Sequence, residues 1–217
     1  DFCYRVNVEY APIGESALVK MVYDIYADGT IAAREDMTDA GKLAETFMLP
    51  RFGMQMAMPG NFSTFEFFGL GPHENYIDRA SSALMGHYVQ NVNDQYHYGY
   101  VRPQESGTKT QIKWMKVLDD NGAGFEITSD VKFSASVLPF SWEEMDVRKK
   151  GNNQAHSLEL KTKAYENNRS YGKTWVNFDL AQQGLACINS WGAWPLEQHR
   201  VKAQPYQFNF VLRPVNN

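Results

Sequence analysis

Cysteine is scarce in this sequence of 217 residues. The two present, Cys3 and Cys187, stand at opposite ends and form no CxxC pair, which excludes a zinc or thiol-redox motif; buried thiols are expected. Long apolar runs are missing as well. No stretch approaches the ~18 residues that a membrane helix needs, so no membrane span is expected. The opening DFCYRVNVEY has neither an initiating Met nor the apolar centre of a signal peptide, and reads as a piece of a longer or processed chain. Basic charge is also short, with 21 Lys and Arg against 25 Asp and Glu, a net charge of -4 and no basic stripe, so nucleic acid is not an expected partner. HExxH, GxSxG, Walker and EF-hand patterns are absent, which removes support for metalloprotease, hydrolase-elbow, nucleotide and calcium chemistry. The five histidines, His73, His87, His97, His156 and His199, show no pairing at ligand spacing, and no metal site is expected.

What the chain has in quantity is aromatic surface: 14% of residues, with 13 Phe, 12 Tyr and 5 Trp. Rings of this kind suit strands and ligand platforms. Period-two patterns recur along the sequence. Tyr4, Val6, Val8 and Tyr10 alternate with polar residues and predict an opening strand with one wet face. A hairpin follows, turning at Asp28-Gly29. The polar connection DAGKLAET over 39–46 is a loop or a short helix. Phe52, Met54, Met56 and Met58 predict a covered sheet face, and further strands are predicted at 64–68, 111–118, 125–128, 133–137, 157–162, 174–183 and 206–212. One helix is predicted at 141–150, where Ser141 and Glu144 fit a capping box. About ten strands with no helix long enough for parallel crossovers predict an all-β chain, a large antiparallel β-sandwich formed by residues 1–217 as a single domain.

Residues 69–107 have a different character, rich in Gly, Pro, Asn, His and Tyr, and read as a long loop of the kind that carries function. Within it GLGPHENYIDR and YVRPQESG bring His73, Glu74, Asp78, Arg79, Arg102 and Glu105 among tyrosines. Carboxylates and guanidinium groups beside rings suit a sugar, whose hydroxyls take paired hydrogen bonds while its C–H face lies on an aromatic. The same side chains serve equally as an ion-pair network that pins the loop. Trp191, in GLACINSWGAW just after the strand at 174–183, reads either as a core or rim tryptophan or as a presented platform.

From Leu49 onward the sequence closely resembles the small-chain-like C-terminal domain, the fifth and last, of large bacterial β-galactosidases of glycoside hydrolase family 2. The segments LPRFGM, FGLGPHENYIDR, YVRPQESG, FSAS, VNFDLAQQGL and NSWG carry the resemblance in order over about three-quarters of the chain. It implies a supersandwich similar to that of galactose mutarotases, and a multidomain parent, with these residues cut from its C-terminus, that hydrolyses terminal β-D-galactosides with retention. It implies that the catalytic glutamates, and the magnesium and sodium of the family, belong mainly to other domains, leaving no catalytic residue and no cofactor in this chain. Its own share would be a wall of the substrate pocket, with Trp191 as platform, Asn189 beside it, and Arg102, Glu105, Ser106 and Gly107 at the mouth. A β-galactoside or galactose, the preceding domains and a second copy of the chain are the partners implied. The sequence departs from the family where Ala186, Cys187 and Ile188 replace the usual Gly-Gly-Asp, which removes an acceptor and a charge beside the tryptophan. Two other readings stay open: a self-contained aldose 1-epimerase-like enzyme drawing on His73, His97, Glu74 and Glu105, and a free carbohydrate-binding module. The compartment is open between cytoplasm and periplasm.

Overall fold

The computed structural model describes residues 2–11, 17–45, 48–97, 99, 105–145, 172–186, 188–189 and 192–216. Ten antiparallel strands account for most of them: β1 (Phe2–Tyr10), β2 (Leu18–Tyr26), β3 (Ile31–Asp39), β4 (Arg51–Pro59), β5 (Thr64–Gly71), β6 (Leu84–Asn91), β7 (Lys109–Leu118), β8 (Gly124–Leu138), β9 (Lys173–Gln182) and β10 (Tyr206–Val215). Among the described residues one short α-helix, α1 (Trp142–Met145), and 3-10 turns at Gly41–Glu45, Val92–Asp94 and Glu197–His199 join them. The expected all-β class is what the chain adopts. The predicted strand at 157–162 and the predicted helix beyond residue 145 lie outside the described residues.

The hairpin turns form where the local chemistry dictates. Gly29, at φ +81°, closes the β2–β3 turn while Asp28 Oδ1 accepts from Thr30 N at 2.9 Å. At the β7–β8 turn Asp119 Oδ1 accepts from both Asn121 N and Ala123 N at 2.9 Å. Ser141 and Glu144 exchange the reciprocal bonds of a capping box at the start of α1, at 2.9 and 3.1 Å.

The main sheet runs β1-β2-β3-β10-β8-β7-β5-β6, and β8 is where it divides. Its first half pairs with β10 from Gly124 to Ser129, and its second half pairs with β9 from Ser134 to Leu138. Between the two the register against β7 shifts at Ile112/Trp114, so residues 129–132 bulge out. The strand read from the sequence as two pieces is therefore one long strand bent at a bulge. β9 carries β4 on its other edge, and this branch folds over β10. Phe178 of β9 meets Phe210 edge-on at 4.9 Å and Phe208 at 6.4 Å, and these rings join Phe65, Phe67, Ile112, Met115 and Phe133 in one large buried cluster. The result is a sandwich whose two faces share a strand.

Three local expectations change. β6 forms an edge strand inside the stretch read as loop; its exposed Leu84 and Met85 and half-buried Gly86 blur the period-two signal. One face of β1 is expected to be covered, yet Tyr4 is 72% and Tyr10 51% exposed on this outermost strand, and of that face only Val8 packs against the core. Cys3 is exposed on the same outermost strand. No helix among the described residues is long and apolar enough to cross a membrane.

Candidate functional site

Asp179 anchors the site from below. On β9 it sits between β4 and β8, which pair both edges of the strand, and both of its faces are covered too: Asn177 and Asp179, which alternation assigns to water, are 0% and 1% exposed. Asn177 is satisfied by Gln55 Nε2 at 2.8 Å and by Ser136 Oγ at 3.0 Å. Asp179 Oδ2 accepts from Arg51 Nη1 at 2.8 Å. Gly53 makes this closeness possible, since a Cβ there would lie 2.4 Å from the Asp179 Cα.

Arg51 is the hinge of the arrangement. Its other terminal nitrogen donates to Glu105 Oε2, and its guanidinium lies 4.0 Å from the Trp142 ring centre. One cation thus ties β4, the segment after residue 104, strand β9 and helix α1. Burial raises the Asp179 carboxyl to about 7, against the opposing pull of Arg51 and with a further push from Glu105. Burial likewise raises Glu105, and Arg51 offsets only part of that. Two carboxylates sharing one guanidinium carry one negative charge too many for a dry site.

The segment Glu105, Ser106 and Gly107 rests on Glu74. Gly107 N donates to Glu74 Oε2 at 2.8 Å and Ser106 Oγ donates to the same oxygen at 3.4 Å, while Ser106 Oγ accepts from His97 N at 2.9 Å. Glu74 Oε1 accepts from Arg79 Nη2 at 2.9 Å, and Arg79 stacks 5.0 Å from the Tyr76 ring centre. Asn75 holds the loop's backbone through Leu70 O and His73 O and also receives Thr110 N. Behind it, Lys109 is 2% exposed, donates to Gln95 Oε1 at 2.9 Å, and is lowered to about 8 by burial. His73 is exposed and takes part here through its carbonyl. Glu74 and Arg79 are thus engaged with each other and with the 105–107 backbone.

Asp78 faces a different segment. Its carboxylate accepts from Leu185 N at 3.2 Å and from Ala186 N at 2.7 Å, at the base of the loop that follows β9. Farther along that loop Asn189 is exposed and its Oδ1 accepts from Ala193 N at 3.4 Å. Ile188 is 77% exposed, and Trp194 and Leu196 also face solvent. Trp191, Arg102 and Cys187 lie outside the described residues. Among the described residues no group of three or more His, Cys, Asp and Glu side chains is placed to hold a metal ion.

Residues 3–212 match the family model of the β-galactosidase small chain. The chain belongs to that family. Its relatives include β-galactosidases of Halalkalibacterium halodurans, 32% identical over 98% of this chain and 21% of the relative, and of Lactobacillus delbrueckii subsp. bulgaricus, 29% identical over 94% and 18%. The β-galactosidase of Priestia megaterium is 28% identical over 97% of this chain and 19% of its own length. This small-chain segment thus spans about a fifth of the length of these relatives.

Arg51 and Asp179 are the site residues that motif reading did not nominate in this small-chain segment. Their partners lie 54 and 128 positions away, beyond any local pattern. The available signal was an Arg within LPRFGM and an Asp within VNFDLAQQGL.

Proposed function

We propose that this small-chain segment forms one wall of the substrate pocket of a retaining β-galactosidase acting on terminal β-D-galactosides, with Trp191 as apolar platform. The segment acts as a single sandwich domain at the C-terminal side of the preceding domains, and the catalytic glutamates belong to those domains. Magnesium and sodium would be held there as well. The exposed rings of β1 offer a surface for the preceding domains or for a second copy.

The observation that carries the reading is the double grip of Arg51. One guanidinium bonds Glu105, in the QESG segment, and Asp179, on the strand that leads into the NSWG loop. The two segments assigned to the pocket mouth are therefore positioned from one buried framework, as a preorganised wall requires. Arg102 and Asn189 complete the rim.

A platform contributes binding without taking part in bond making, so its loss should fall on the Michaelis constant. Trp191→Ala in the complete β-galactosidase should raise KM for a galactoside by about tenfold or more and leave kcat within about threefold, with the protein folded. An unchanged KM would remove Trp191 from the pocket and overturn the proposal.

A further inference from the structure

The loop that bears Trp191 leaves β9 through Gly184, Leu185 and Ala186, and its base is closed by Gly184 N donating to His199 O at 2.8 Å. Asp78 reaches this base from a different part of the chain, 107 and 108 residues earlier, and a single carboxylate receives two successive backbone N–H groups. Such a pair of donors is an anion-binding concavity, here filled by the protein's own side chain. Ala186 adopts φ +57°, a left-handed conformation that costs a non-glycine residue energy and needs support from its surroundings. Gly184 is packed against the same carboxylate so closely that a Cβ would lie 2.5 Å from Asp78 Oδ2.

We infer that Asp78 is a positioning residue for the galactoside site: its carboxylate fixes residues 185–186 and thereby sets the direction in which the Trp191 loop leaves the sheet. This rests on the reading of Trp191 as substrate platform. Asp78 itself need not touch sugar. A neutral amide of the same size offers one acceptor oxygen and turns an NH2 towards the second backbone donor, so Asp78→Asn keeps the volume and removes half of the grip. Gly184→Ala attacks the same contact from the other side, by pushing a methyl group into the carboxylate.

The test is a double-mutant cycle in the complete β-galactosidase, assembled with all its domains, using a chromogenic galactoside. Asp78→Asn and Gly184→Ala should each raise KM by about tenfold with kcat changed by less than about twofold. In a Trp191→Ala background the same substitutions should change KM by less than about twofold, because the group they position is gone. A KM increase of equal size in both backgrounds would overturn the proposal, since Asp78 would then act by another route. An unchanged KM in Asp78→Asn and Gly184→Ala, beside a raised KM in Trp191→Ala, would overturn it while leaving the platform intact. An unchanged KM in Trp191→Ala alone would overturn the platform reading and this inference with it. If Asp78→Asn does not fold, Gly184→Ala decides by the same criteria.

Discussion

Two arginines in this chain make nearly the same contacts in opposite surroundings. Arg5 on β1 donates to Asp24 on β2 through Nε and Nη2, at 2.6 and 2.7 Å, on the outer hairpin of the sheet. Arg51 on β4 meets Asp179 and Glu105 beside the Trp142 ring, where the three side chains are 13%, 1% and 18% exposed. The geometry of the Arg5 pair is the tidier one, yet water stabilises its ions when the pair opens. The Arg51 group has no such fallback. The difference teaches that the weight of an ion pair lies in what remains when one partner is removed.

The largest effect should come from taking away the buried cation. Arg51→Met would leave Glu105 and Asp179 facing each other in a dry site and remove the cation above the Trp142 ring. A loss of about 3–5 kcal/mol is expected, read as a lowered urea midpoint at neutral pH with an unchanged slope. A loss below about 1 kcal/mol would show that water or protonation already compensates the pair, and the contrast with Arg5 would collapse.

Buried and exposed carboxylates should also respond to pH with opposite signs. Glu35 on β3 is 6% exposed, and burial, with a further contribution from Asp179, raises it to about 8. Asp179 is raised to about 7. Both folded-state values lie above the unfolded ones, so the folded chain keeps protons that the unfolded chain has released. Their contribution to stability is full below about pH 4 and is lost as pH rises through about 7 and 8. Asp24 behaves the other way: its hydrogen bond from Arg5 lowers it, and its contribution disappears as pH falls. Glu35→Gln should flatten the decline in stability between about pH 5 and 8 by up to about 1.4 kcal/mol per pH unit. Urea midpoints across that range read the slope. An identical slope in wild type and Glu35→Gln would show that Glu35 is already ionised in the folded chain.

The same division between local and distant interactions decides what could be read in the sequence. Alternation located β2, β3, β5, β7 and β10 because one face of each strand meets the core, and Asp28-Gly29 marked its turn through backbone chemistry confined to a few residues. It located β9 as well but gave one of its faces to water, whereas both faces are covered and Asp179 is buried. It divided β8 because Ser129, Asp130 and Lys132 interrupt the period at the bulge. In the candidate site, Glu74, Asp78, Arg79 and Glu105 were visible as loop carboxylates and cations. Which of them held which segment was not, since Asp78 bonds residues 107 and 108 positions away. The framework under the site, Arg51 with Asp179, depends on strands brought together only by the completed sandwich.

The smallest effect is expected at Arg5. Replacing it with Gln removes both bonds to Asp24, but its side chain is 56% exposed and the carboxylate released is at the edge of the sheet. Water then solvates Asp24 at little cost, and the entropy of a long side chain no longer confined to one rotamer offsets part of what is lost. The denaturation midpoint of Arg5→Gln should lie close to that of the wild type, and whatever difference exists should shrink when salt is raised well above physiological strength, because exposed charges are screened. A large, salt-insensitive loss would mean that the pair is covered by a partner surface. β1 would then belong to an interface, and the contrast between Arg5 and Arg51 would not hold in the assembled protein.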